Sequence, residues 1–84
     1  MDDAQILNHI EALVGEEQTL EQQEVRDASN DESLAADRQR LERISIELDR
    51  CWDLLRQRRA RRAAGQDPDE AHARGPDTVE RYLQ

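Results

Sequence analysis

Three side chains in this 84-residue chain could serve as a nucleophile, a general base or a soft metal ligand: His9, Cys51 and His72. A catalytic site needs such groups to converge on one reacting atom, and these three are scattered with no motif around any of them. A structural zinc centre uses four Cys or His at short spacing, so three isolated candidates predict no metal centre. Cys51 falls among apolar positions, where a thiol behaves as a small hydrophobe, and His9 borders an apolar stripe. Twenty acids invite a carboxylate-bridged metal pair. Bundles of that kind carry Glu-x-x-His on inward faces, and the chain has no such pair. Its three glycines stand apart, which leaves no phosphate-cradling loop. The expectation is a protein that is not an enzyme and has no catalytic residue, cofactor or metal.

The remaining chemistry is electrostatic. The stretch LDRCWDLLRQRRARR, Leu48 to Arg62, sets the only Trp and the only Cys beside a basic patch of Arg56, Arg58, Arg59, Arg61 and Arg62. Charge divides the chain into blocks: residues 1–37 hold eleven acids against Arg26 alone, residues 38–64 hold nine Arg against four acids, and residues 65–84 hold five acids against two Arg. The net charge of −8 opposes general nucleic-acid binding, which requires a positive surface that displaces counterions. No aromatic residues interleave the run to stack bases. Two readings of the arginines stand side by side: they close the protein on itself by meeting its acids, or they form a basic tip for nucleic acid, a ribonucleoprotein or an acidic protein. All twelve basic residues are Arg, which fits the codon bias of a GC-rich genome and weakens any claim that each was selected for bidentate bonding.

The elements that would position these groups are helical. After Asp2 or Asp3 as cap, Ile6, Ile10, Leu13 and Leu20 recur at helical spacing, widened by Leu7 and Val14, and predict a helix over about 3–28. Gly15 inside it marks a weak point or a close approach. DASNDES breaks the pattern, and Ser29 with Glu32 fits a capping box for a second helix over about 30–64. Leu34, Asp37, Leu41, Ile44, Leu48, Cys51 and Leu55 keep a three-four spacing along it, the pattern of a coiled-coil-like seam. Gly65 and Pro68 should end it. The fold class is therefore all-α: a long antiparallel hairpin over residues 1–66, followed by a partly helical tail over residues 67–84. In the tail, Asp67 precedes Pro68 at a helical start, and Val79, Tyr82 and Leu83 share a face that should dock on the hairpin.

The segments LDRCWDLLRQRRARRAAGQDPDEA and VERYLQ, together with the opening MDDAQILNHIEALVGEE, resemble a family of short bacterial proteins that carries a domain-of-unknown-function label and is found mainly in actinobacteria. The resemblance spans nearly the full length and is weakest from Ala28 to Ala35. It implies a small intracellular helical protein, and it brings no activity or functional residue with it.

A single cysteine, no apolar run of membrane or signal length, and a start at Met1 followed by two Asp predict a reduced, cytoplasmic protein with no membrane association. Pairing the two helices leaves Trp52 and Leu54 on the flanks of the seam and Ile46 pointing outward. These three predict an interface, either with an unidentified protein or, as the leading expectation, with a second copy in a homodimeric four-helix bundle.

Overall fold

Asp2 opens the first helix with two reciprocal hydrogen bonds. Its carboxylate accepts from the Gln5 amide at 2.8 Å, and the Gln5 side chain accepts from the Asp2 amide at 2.9 Å, which satisfies two of the donors a helix start leaves unpaired. In the computed structural model, which describes residues 1–75 and Val79, this cap begins α1, Asp3–Arg26. A four-residue turn follows, and α2 runs over Asp31–Ala63. A 3₁₀ turn, Pro68–Glu70, comes last. Among the described residues there is no strand. The fold is an all-α two-helix hairpin, as the spacing predicted.

The helix ends differ from expectation in detail. α1 stops at Arg26 because Asp27 leaves helical geometry, although its amide still reaches the Gln23 carbonyl at 2.8 Å. α2 is capped by Asn30 rather than Ser29: Asn30 has the extended backbone a cap requires, and its side-chain oxygen accepts from the Ser33 amide at 3.2 Å. Gly65 ends α2 as predicted, at φ +72°. The Gly65 amide bonds to the Arg62 carbonyl, and the Gln66 amide to the Arg61 carbonyl. That pair of bonds is the Schellman arrangement, which only a left-handed residue completes without strain.

The core is narrow. Ile6 and Ile10 from α1 meet Cys51 and Leu55 from α2, with Leu13, Val14, Leu48 and Leu54 packed around them. Leu20, Ile44 and Val79 are also buried. Contacts between His9 and Glu47, Glu16 and Arg40, and Glu24 and Arg38 show the helices running antiparallel side by side. The molecule measures 54 by 25 by 15 Å, a single layer of two helices.

Gly15 is not a point of close approach. It lies within unbroken helix, its carbonyl accepts from the Thr19 hydroxyl at 3.0 Å, and a methyl group there would meet open space. Gly15→Ala should therefore stabilise the protein by about 1 kcal/mol. The expected readout is a rise of about 4–8 °C in the melting temperature followed by far-UV circular dichroism; no rise would show that the helix is distorted there in solution.

Candidate functional site

The arginine run is answered from within the chain. Arg58, one turn beyond Leu55, is only 5% exposed. Its Nε donates to Asp3 Oδ1 at 2.5 Å, and its Nη1 donates to the Pro68 carbonyl at 3.2 Å and to Asp69 Oδ1 at 3.0 Å. One guanidinium thus joins the start of α1, the end of α2 and the 3₁₀ turn, a task suited to a planar group with five donors. Arg62 adds a forked contact to Asp3 at 2.6 and 3.2 Å. Bonded first by Arg62 and then by Arg58, the Asp3 carboxyl drops from its ordinary 3.8 to about 2. Arg61 reaches Glu70 at 3.4 Å. Arg56 and Arg59 are exposed and have no partner among the described residues.

Beyond the 3₁₀ turn the chain doubles back along α2 as a strap. Gln57 Nε2 donates to the His72 carbonyl at 2.9 Å, and Arg50 Nε to the Arg74 carbonyl at 3.0 Å. Arg74 pairs with the buried Asp53 at 3.4 Å, and Gln57 also bonds Asp53 at 3.0 Å. As the strap advances from Glu70 through His72 to Arg74, its partners retreat from Arg61 through Gln57 to Arg50, so strap and helix run antiparallel. Val79 is buried; Tyr82 and Leu83 lie outside the described residues.

The two broad faces of the hairpin differ in kind. A step of one residue past a seam position turns a side chain by about 100°, and in an antiparallel pair that step leads to the same face from either helix. Leu7 follows the buried Ile6 and Trp52 follows the buried Cys51, so both occupy one face, 44% and 45% exposed. Val25, 77% exposed, stands about five turns beyond Leu7 on that face. The opposite face carries His9 with Glu47 and Glu16 with Arg40. Of the residues predicted to form an interface, Trp52 lies on the apolar face, Leu54 packs on the core cluster and Ile46 is half-buried.

The potential metal donors of the described residues meet in one place, where His9, Glu47 and Cys51 bring their donor atoms within 4.8 Å of one another. His72 takes no part: it is exposed, and its backbone carbonyl is what the strap uses. Burial, with the Glu47 carboxylate nearby, pushes the Cys51 thiol up.

Comparison with known proteins adds a family. The description "Protein of unknown function (DUF2630)" matches residues 2–84. The chain belongs to this family. Uncharacterized proteins of Mycobacterium tuberculosis strain H37Rv and of Mycobacterium bovis are 52% identical to it over 80 residues, covering 95% of this chain and 88% of theirs. No solved structure matches. Membership agrees with the resemblance seen in the sequence and, like it, supplies no activity. Among the described residues, no helix is long and apolar enough to cross a membrane.

Sequence reasoning missed the strap and its anchors Arg50, Asp53, Gln57 and Arg74. The signal for Arg50, Asp53 and Gln57 was present as polar residues repeating at three and four along α2 beside the seam, a pattern that reads equally well as a solvated face.

Proposed function

We propose that the protein is a cytoplasmic, self-associating interaction module that catalyses no reaction of its own. The observation that carries this reading is the half-exposed Trp52 on a face shared with Leu7 and Val25, on a rod one helix layer thick. A tryptophan left wet on an otherwise highly charged surface is the residue type most enriched at interface hot spots. A face of 54 by 25 Å exceeds the roughly 800 Å² per partner that a standard interface buries.

The spacing of the exposed apolar side chains argues that the occupant is a second copy. Leu7 and Trp52 stand near the open end of the face and Val25 near the turn. A two-fold axis across the rod sets the open end of each copy over the turn end of the other. It then brings Trp52 and Leu7 of each copy toward the region of the partner's Val25. A self-complementary patch of this kind closes into a dimer and does not propagate. The basic-tip alternative has less to work with, because Arg58, Arg61 and Arg62 are already engaged by acids of the same chain.

Sedimentation or light scattering at micromolar concentration should show a dimer. Trp52→Ala should weaken it by about 30-fold or more. Val25→Glu should weaken it as well, by setting a charge against Trp52 and Leu7 across the two-fold axis. A fully helical wild-type monomer, or a dimer indifferent to Trp52→Ala, overturns the reading; salt-sensitive binding to RNA or DNA would promote the basic tip in its place.

A further inference from the structure

We propose that His9, Glu47 and Cys51 form a binding site for a borderline divalent transition ion, Zn²⁺, that clips the two helices together. The three donors are an imidazole nitrogen, a carboxylate oxygen and a thiol sulfur, the ligand set zinc accepts most readily. They come from both helices: Glu47 and Cys51 sit four apart, hence on one face of α2, and His9 stands opposite on α1. His9 Nε2 lies 4.0 Å from Glu47 Oε1, and all three donor atoms fall within 4.8 Å of one another. Tetrahedral zinc with bonds of about 2.0–2.3 Å needs ligand separations of roughly 3.3–3.8 Å. The gap is about 1 Å, and His9 and Glu47 are only partly buried and free to close it by side-chain rotation, while the buried Cys51 holds its place.

The surroundings resemble an outer coordination sphere. Glu47 divides its two oxygens: Oε1 faces His9, and Oε2 accepts from Arg50 Nη1 at 3.3 Å. Arg50 is held in turn by the strap, through its bond to the Arg74 carbonyl. A ligating carboxylate whose second oxygen is bonded to a fixed donor is oriented before the ion arrives, which is what outer partners contribute at metal sites. Binding expels the Cys51 thiol proton to solvent, and the thiolate replaces it as an anionic ligand. Glu47 also lines a shallow groove of about 290 Å³ with Leu13, Glu16, Arg40, Arg43 and Ile44, from which a water can reach the ion as its fourth ligand. His9 and Glu47 lie on the face opposite Trp52, so the site does not depend on the proposed dimer.

Titration of the reduced full-length protein with Co²⁺ should saturate at one ion per chain and give the thiolate-to-cobalt charge-transfer absorption and intense visible bands of a tetrahedral centre, which Zn²⁺ then abolishes by displacement. Cys51→Ser should remove the charge-transfer band. His9→Ala and Glu47→Gln, both at partly buried positions, should each weaken Zn²⁺ at least tenfold with unchanged far-UV circular dichroism. Zn²⁺ should also raise the melting temperature of the wild type and leave that of His9→Ala unmoved. Absence of the charge-transfer band, or Zn²⁺ affinity unchanged in His9→Ala or Glu47→Gln, overturns the proposal and assigns any bound ion to the exposed acids.

Discussion

Arg58→Met lowers the melting temperature by on the order of 10 °C or more, and Arg58→Lys recovers little of it. Methionine keeps much of the side-chain volume but removes every donor, so Asp69 and the Pro68 carbonyl lose their shared partner and Asp3 keeps only Arg62. The cost lies in those lost hydrogen bonds and in the lost packing of Arg58, the buried side chain of the network, since Asp3 and Asp69 remain 34% and 75% exposed. Lysine restores the charge but is a single point that cannot span partners on α1 and on the 3₁₀ turn at once. Arg56→Met supplies the contrast, since Arg56 is exposed with no partner among the described residues; it should move the midpoint by no more than a few degrees. Thermal melts of the three variants at neutral pH decide the matter. Equal effects at positions 56 and 58 would show that the run acts through general charge and not through this contact.

Stability should pass through a maximum on the acid side of neutrality, because two carboxyls shift in opposite directions. Asp3, held by Arg62 and Arg58, binds its proton at about 2 in the fold against 3.8 when released, so its contribution is complete above the upper value and is lost as pH falls from about 4 toward 2. Asp37 does the reverse. A hydrogen bond with Asp27 raises it first, burial second, and the charges of Asp27 and Glu24 third. A raised carboxyl stabilises the fold below its ordinary 3.8 and withdraws that support as pH climbs through the folded value. Asp37 also occupies a seam position with Oδ2 shut from solvent and unbonded, an arrangement that costs stability once the group is charged. Asp37→Leu should therefore raise the melting temperature at pH 7 by about 5 °C or more and flatten the neutral limb of the profile, and Asp3→Asn should flatten the acid limb. A profile whose neutral limb is unchanged in Asp37→Leu would locate the neutral-pH penalty in overall charge repulsion instead.

The hairpin was legible because its apolar residues are few and regularly placed. Ile6, Ile10, Cys51 and Leu55 needed only helical periodicity and one turn to be brought together, and the observed core is built from them. Gly65 and Asp67 could be assigned from local backbone chemistry alone, and the cap of α1 could be narrowed to Asp2 or Asp3. Where two neighbouring residues could both serve, as Ser29 and Asn30 could, the choice depended on which one takes up extended geometry, a property of the turn as a whole. The closure of the arginine run could be inferred from block charges, but not that Arg58 alone would be buried, since that follows from the 3₁₀ turn folding over it. The cluster of His9, Glu47 and Cys51 was invisible for a simpler reason: His9 is on the other helix, far in sequence from Glu47 and Cys51, and one residue of register decides whether they meet.

The partners joined by Arg58 and Arg62 are 55 and 59 residues apart in the chain, whereas the turn closes over four. Loop-closure entropy favours pairing that starts at the turn and advances toward the open end, so the Asp3 contacts are the last to form as the protein folds and the first that must break as it unfolds. A contact absent from the folding transition state leaves the folding rate untouched and acts wholly on the rate of escape from the native state. Arg58 is in that sense a kinetic lock: it governs how long a folded molecule survives between openings, while the turn governs how quickly a new one is made.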